Sequence, residues 1–214
     1  MKKFFTFMTF LLIGQFGFIS AHAQTPALTQ PTLNKPTQSS EMSQQAVAKA
    51  DTQILMIRHA LAPGMGDPSN FDVNDCSTQR NLSQKGIDQA KTFGLQLKKL
   101  GFQPDQVWTS QWCRSFDTAQ ALGIGQVTPL PALNSYFQNR SVAEQQLADL
   151  KKFIMSLPSK GGRYVMVTHH VLIGDLAGQW VGSGDGVWLL LTGNHNDPWR
   201  VMPFLSEKPA LPME

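Results

Sequence analysis

Short apolar runs that alternate with helical patterns constrain the fold of this chain most strongly. Residues 53–57 place four consecutive apolar side chains after one polar residue, and the run is too short for a helix. Strands that alternate with helices predict a three-layer α/β/α sandwich with a mostly parallel central sheet. Ligands of such domains bind beyond the carboxyl ends of the strands. Comparable runs that we interpret as strands lie at residues 107–109, 127–130, 164–168, 187–191 and 199–205.

Helical patterns and one long loop separate these runs. Ser83 is a favourable N-cap, and apolar residues recur at helical spacing from there until Gly101. Residues 60–81 are instead rich in glycine, proline, aspartate and amide side chains, which is typical of an irregular loop. Loops of this length commonly serve a function. Further helices are predicted at residues 112–122, 141–157 and 172–181.

The amino terminus carries a secretory signal pattern. Two lysines precede a long apolar run, and Ala21-His22-Ala23 supplies the small residues that a signal peptidase requires. We therefore predict a signal peptide at 1–23, a flexible linker poor in large apolar side chains at 24–50, and a domain at 51–214. An uncleaved anchor helix is the alternative. Cleavage predicts a periplasmic or secreted protein with no stable membrane anchor.

The composition excludes several classes of protein. Hydrophobic residues make up 42% of the chain, which argues against a disordered protein. The 18 lysines and arginines nearly balance the 15 aspartates and glutamates, so no nucleic-acid partner is expected. The two cysteines, Cys76 and Cys113, are too few for a disulfide-dense miniature fold or a four-thiolate zinc site.

Polar side chains follow three of the predicted strands. Arg58 and His59 follow the first strand, Arg114 lies just beyond the second, and His169 and His170 follow another. A guanidinium group presents its donors in a fixed fork that matches phosphate oxygens. A neutral imidazole can attack phosphorus. The sequence therefore predicts a pocket for a phosphate group at one edge of the sheet.

Four motifs in these segments resemble the phosphoglycerate-mutase-like branch of the histidine phosphatase superfamily. They occur in the family's order and spacing across residues 54–170, which is most of the predicted domain. One departure is Ala60, which stands where the family carries a glycine after Arg-His. The motifs are Leu55-Met56-Ile57-Arg58-His59-Ala60, Leu82-Ser83-Gln84-Lys85-Gly86-Ile87-Asp88-Gln89-Ala90, Ser110-Gln111-Trp112-Cys113-Arg114-Ser115-Phe116-Asp117-Thr118-Ala119 and Val165-Met166-Val167-Thr168-His169.

The resemblance implies a role for each residue of the predicted pocket. His59 is expected to be the nucleophile that forms a phosphohistidine, while Arg58, Arg114 and His169 clamp the transferring phosphoryl group. The implied activity is that of a phosphatase that needs neither a cofactor nor a metal ion. Its implied partner is a small phosphorylated substrate or a cell-envelope phosphosugar, with the oligomeric state left open. A non-catalytic phosphate-binding module is the alternative.

The family's general acid has no counterpart at its usual place. Where many members carry a glutamate after the third strand, this chain has Leu133-Asn134-Ser135. Asp67 is the favoured substitute because it lies close to His59 along the chain, with Asp72, Asp75 and Asp185 as other candidates. Alternatively, these aspartates cap turns, and the leaving group needs little protonation, as in a phosphohistidine or an acyl phosphate.

Other side chains are candidates for the mouth of the pocket. Arg80 either binds a second anionic group of the substrate there or is a solvated surface arginine. Three aromatic side chains either line the rim or belong to the core: Trp108, Trp112 and Phe71.

Cys76 and Cys113 form the one possible intrachain pair. Cys76 lies in the long loop after His59, and Cys113 adjoins Arg114, so both are expected to border the pocket. An exported chain meets an oxidising compartment, and we predict that the two are joined in a disulfide. Two separately buried thiols are the alternative.

Overall fold

The computed structural model describes residues 52–204 and places six strands in one mixed sheet. The strands lie in the order β3–β2–β4–β1–β5–β6. Neighbouring strands from β3 to β1 run parallel, whereas β5 pairs antiparallel with β1 and β6 pairs antiparallel with β5. The predicted α/β class is confirmed. The strands are β1 (Gln53–Arg58), β2 (Gln106–Thr109), β3 (Val127–Pro129), β4 (Arg163–Thr168), β5 (Gly186–Asn194) and β6 (Asp197–Pro203).

Within the described residues four helices accompany the sheet, and three of them lie close to their predicted positions. These are α1 (Gln84–Lys99), α2 (Cys113–Leu122) and α3 (Ala143–Ser156). The fourth, α4 (His170–Ala177), ends four residues earlier than the apolar pattern predicts, at residue 177 instead of 181. The cause is Gly178, which caps the helix with a left-handed backbone at φ 67°. Short 3₁₀ turns lie at Cys76–Thr78, Pro131–Leu133 and Arg140–Val142.

Side chains of β1 alternate between two hydrophobic clusters, one on each face of the sheet. Leu55 and Ile57 belong to the cluster that includes residues of α1 and α2. Ile54 and Met56 belong to the cluster that includes residues of α3 and α4. All four side chains are fully buried. This burial on both faces explains why the strand is a continuous apolar run, and it builds the three layers.

Two glycines allow α1 to approach its neighbours closely. A Cβ atom at Gly94 would lie 1.9 Å from the carbonyl oxygen of Leu122, at the end of α2. A Cβ atom at Gly86 would lie 2.2 Å from the carbonyl oxygen of Leu61, in the loop that follows His59. Both contacts require glycine, so α1 is held against the two segments that carry His59 and Arg114.

The predicted signal peptide at 1–23 and linker at 24–50 lie outside the described residues. The same holds for the first residue and the last ten residues of the predicted domain, 51–214. Among the helices of residues 52–204, none is long and apolar enough to cross a bilayer.

Candidate active site

The carboxyl ends of three adjacent parallel strands bring the predicted residues together. β1 ends at Arg58 and is followed by His59, β2 leads into α2 with Arg114, and β4 leads into His169. Because β2, β4 and β1 are neighbours, these four side chains line one pocket of about 310 Å³. Arg80 lines the same pocket. The structure thus assembles the predicted constellation at the predicted edge of the sheet.

His59 is positioned with one ring nitrogen free. Its side chain is 2% exposed, and its Nδ1 lies 2.8 Å from the carbonyl oxygen of Ala60. A carbonyl can only accept, so Nδ1 carries the proton and Nε2 keeps its lone pair. Burial is the main cause that lowers the pKa of His59 to about 3, and the charges of three neighbouring arginines act in the same direction. The imidazole is therefore neutral near pH 7.

His169 is a second buried, neutral imidazole beside His59. The two ring centroids are 5.4 Å apart. Its Nε2 lies 2.9 Å from the hydroxyl oxygen of Ser110 and 3.4 Å from that of Ser115. Burial first, and then the neighbouring His59 and Arg114, hold the pKa of His169 well below its usual value. The serine contacts fix the orientation of the ring at the pocket.

The two clamp arginines retain unused donors. Arg58 donates from Nη1 to the carbonyl of Val181 at 3.1 Å, and Arg114 is ion-paired with Asp67. Among the described residues, the buried Nε of each arginine has no hydrogen-bond partner. Leaving such a donor unsatisfied is costly. Both arginines also line the pocket, where their guanidinium groups supply fixed positive charge that suits an oxyanion.

Asp67 lies in the site, but its carboxylate is fully engaged. Arg114 donates to both oxygens, at 2.7 and 3.1 Å, Trp112 donates from Nε1 at 3.0 Å, and the main-chain N–H of Arg80 donates at 3.0 Å. Burial is the largest influence on this carboxyl and favours its neutral form, but the hydrogen bonds outweigh it and lower the pKa of Asp67. A carboxyl held ionised is a poor proton donor. The geometry therefore argues against Asp67 as the general acid and makes it a positioning residue for Arg114.

Several solved structures share this arrangement of strands and helices. A mycobacterial glucosyl-3-phosphoglycerate phosphatase in complex with VO3 has a TM-score of 0.54 and 19% identity, covering 72% of this chain and 98% of that one. The protein histidine phosphatase SixA in complex with tungstate has a TM-score of 0.50 and 16% identity, covering 71% and 94%. A Plasmodium falciparum phosphoglycerate mutase has a TM-score of 0.51 and 15% identity, covering 78% and 99%.

The chain has the histidine phosphatase fold. At these identities the likeness establishes the fold, while roles within the site come from the geometry. Comparisons with protein-family models and with curated protein sequences find no match.

Within this histidine phosphatase fold, the other aspartates considered as acids lie away from the pocket wall. Asp72 accepts from the N–H of Asn74 at 2.8 Å, and Asp75 caps the 3₁₀ turn after it. Asp185 accepts from the N–H of Gly186 at 2.8 Å. These three carboxylates therefore accept main-chain hydrogen bonds in turns and at the start of a strand. In the described part of the chain, Asp67 is the one carboxylate on the pocket wall.

Arg80 braces the loop after His59. Its Nε donates to the carbonyl of Gly66 at 2.8 Å, and its Nη1 donates to the carbonyl of Ala62. Its guanidinium still lines the pocket. Arg80 therefore shapes the loop and adds positive charge beside the clamp arginines.

The three aromatic side chains for which the sequence left rim and core open are not among the residues that line the pocket. Trp108 is part of the core, where its ring centroid lies 4.9 Å from that of Phe153 and 5.2 Å from that of Tyr164. Trp112 stacks on Phe71 at 4.8 Å and supports Asp67. The residues that do line the mouth were not predictable from the sequence, because their segments carry no periodic pattern. They are Gly64, Met65, Gly66, Ser135, Phe137 and Gln138.

A disulfide joins the long loop to the start of α2. Cys76 and Cys113 are bonded, with their Cα atoms 5.7 Å apart. The N–H of Cys113 also donates to the side-chain oxygen of Gln79 at 2.9 Å. Both contacts lie one residue from Arg114, so the loop and the clamp form one braced unit.

We also searched the site and its surroundings for a cluster of side chains that could bind a metal ion. Within residues 52–204, no three side chains of His, Cys, Asp or Glu are grouped so that they could hold one.

Proposed function

We propose that the domain is a phosphatase that hydrolyses a phosphorylated substrate through a phosphohistidine at His59. One observation carries this proposal above all. The neutral imidazole of His59, with its unprotonated Nε2, lies in one pocket with the positive charges of Arg58 and Arg114. The solved structures of the same fold that hold VO3 or tungstate support an oxyanion in such a pocket.

The chemistry has two displacement steps. Nε2 of His59 attacks phosphorus, and the bond from phosphorus to the leaving group breaks, with the electron pair going to the leaving group. Water then attacks the phosphohistidine, the phosphorus–nitrogen bond breaks, its electron pair returns to Nε2, and the water proton passes to solvent. Fixed positive charge stabilises the phosphoryl oxygens in both steps. Arg58, Arg114 and Arg80 supply that charge, so we propose that no metal ion is needed.

The pocket wall favours substrates whose leaving group departs without a strong proton donor. In the described residues the one carboxylate on that wall, Asp67, is paired and ionised. A phosphohistidine or an acyl phosphate meets this requirement, and it is the more specific candidate for the substrate. A phosphorylated sugar requires protonation of an alcohol oxygen, and water would have to provide it.

We also propose that the protein acts outside the cytoplasm, in the periplasm or after secretion. The signal pattern at residues 1–23 supports export. The disulfide between Cys76 and Cys113 supports an oxidising compartment.

Hydrolysis of p-nitrophenyl phosphate tests the activity. His59→Ala is expected to lose at least roughly 10³-fold in kcat, because no other group replaces the nucleophile. His195→Ala is the matched control, since His195 is exposed and lies in the turn between β5 and β6. A wild-type protein that binds vanadate but releases no phosphate from any phosphorylated substrate would instead be a binding module.

A further inference from the structure

Exposed apolar side chains gather at the mouth of the phosphate pocket. Met65 is 86% exposed and Phe137 is 41% exposed, and both line the pocket. Trp180 is 67% exposed and lies one residue before Val181, whose carbonyl accepts from Arg58. Large apolar side chains this exposed commonly mark a surface that a ligand covers.

Three rings at this mouth form a row. The ring centroid of His170, which lines the pocket, lies 5.7 Å from that of Phe137 and 5.9 Å from that of Trp180. The indole of Trp180 rests on Gly174 of α4, where a Cβ atom would come within 2.9 Å of it. The row is therefore braced by the helix that begins at the phosphate site. We refer to Phe137, His170 and Trp180, together with Met65, as the aromatic rim.

The side-chain amide of Gln138, a polar group at the mouth of the pocket, is engaged within the protein. Gln138 accepts from the main-chain N–H of Asp67 at 2.9 Å and donates to its carbonyl at 3.2 Å. A polyhydroxylated leaving group would need free hydrogen-bonding partners at this position. A flat ring needs faces and edges of other rings, which the aromatic rim provides.

We propose that the group carrying the phosphoryl in the substrate is an aromatic ring that lies against the aromatic rim. This inference rests on the proposed phosphatase function of the same pocket. Within residues 52–204, the pocket wall carries no free carboxylic acid. This agrees with the inference independently, because phenols and heteroaromatic groups are better leaving groups than alkyl alcohols. Arg58 and Arg114 then bind the phosphoryl group, and the aromatic rim binds the ring.

Turnover of two matched substrates tests the inference. One is an aryl phosphate, and the other is a fluoroalkyl phosphate whose leaving group has the same acidity. Trp180→Ala and Phe137→Ala are each expected to lower kcat/KM for the aryl phosphate by roughly 2- to 10-fold more than for the fluoroalkyl phosphate, the range of one aromatic contact. Leu95→Ala is the control, because Leu95 is 65% exposed on α1 and is not among the pocket-lining residues. Equal losses for both substrates, or none, would overturn the inference.

Binding of phosphonates separates this inference from the phosphatase proposal. Phenylphosphonate and methylphosphonate have a carbon–phosphorus bond that the enzyme does not hydrolyse, so their affinities are measured by calorimetry without turnover. The wild type is expected to bind phenylphosphonate more tightly, and Trp180→Ala to lose that preference. A preference without turnover of any substrate would retain the rim and reject the phosphatase. Turnover with equal affinities, or no binding of either phosphonate, would reject the rim.

Discussion

One hydrogen bond determines which nitrogen of His59 can attack phosphorus. The carbonyl of Ala60 holds the proton on Nδ1, and burial with three arginines keeps the ring neutral. Because this contact uses the main chain, alanine at position 60 serves as well as the glycine that the family carries there. Alanine at position 60 therefore leaves the tautomer of His59 unchanged.

Asp67 is the residue for which two roles predict different kinetics. Asp67→Asn keeps the shape but removes the charge that pairs with both Arg114 nitrogens. If Asp67 is a positioning residue, the substitution is expected to lower kcat/KM roughly 10²-fold, by the same factor for good and poor leaving groups. A series of aryl phosphates whose leaving phenols differ in pKa measures this. Plots of log kcat/KM against the pKa of the phenol are expected to be parallel for the wild type and Asp67→Asn.

The control for that series is Asp72→Asn, which changes a carboxylate of the same loop whose contacts lie within the loop. A loss in Asp67→Asn that grows as the leaving group becomes less acidic would show that Asp67 donates a proton after all.

At the level of elements, the loop at 60–81 and the start of α2 form one unit. The disulfide, the Gln79 contact and the pair of Asp67 with Arg114 all cross between them. None of the three is a regular hydrogen bond of a helix or a strand. The position of the phosphate clamp therefore depends on the loop.

Removal of the disulfide tests the stability of this unit. The bond closes a loop of sequence separation 37, and Cys76→Ser with Cys113→Ser is expected to lower the free energy of unfolding by about 3–4 kcal/mol. Denaturant unfolding of the two proteins measures the difference. Reductant should destabilise the wild type and leave the double variant unchanged. Equal stability of wild type and variant would show that the bond contributes nothing.

The elements that sequence patterns predict well are those whose signals are local. β1 is a run of buried apolar residues, and Ser83 caps α1, so both were predictable within a residue or two. The pairing of Asp67 with Arg114 was not predictable, because the path of an irregular loop depends on contacts with residues distant in the sequence. The rim was missed for a related reason, since Trp180 follows a helix that Gly178 ends before the apolar pattern does.

At the scale of the whole molecule, the buried neutral histidines make the folded state less stable in acid. The pKa of His59 is about 3 in the folded state and that of His169 is also well below normal, whereas an unfolded histidine titrates near 6.5. Below pH 6.5 the unfolded chain thus binds more protons than the folded one, and the free energy of unfolding falls as the pH decreases toward 3. The expected slope is up to about 1.4 kcal/mol per pH unit for each histidine.

Denaturant unfolding between pH 8 and about 5 measures this slope, in a range above the ordinary pKa values of aspartate and glutamate, ~3.9 and ~4.3. His59→Asn is expected to flatten this slope by about one proton. An unchanged slope in His59→Asn would mean that the folded and unfolded states protonate this residue alike.

The phosphohistidine itself is the most direct test of the account. Wild-type enzyme is mixed with p-nitrophenyl phosphate, quenched in alkali within one turnover, digested, and mapped by mass spectrometry. The account predicts a phosphoryl group on the peptide that contains His59, and none in His59→Ala. Steady turnover with no phosphorylated histidine, or phosphate on His169 or His170 instead, would contradict it.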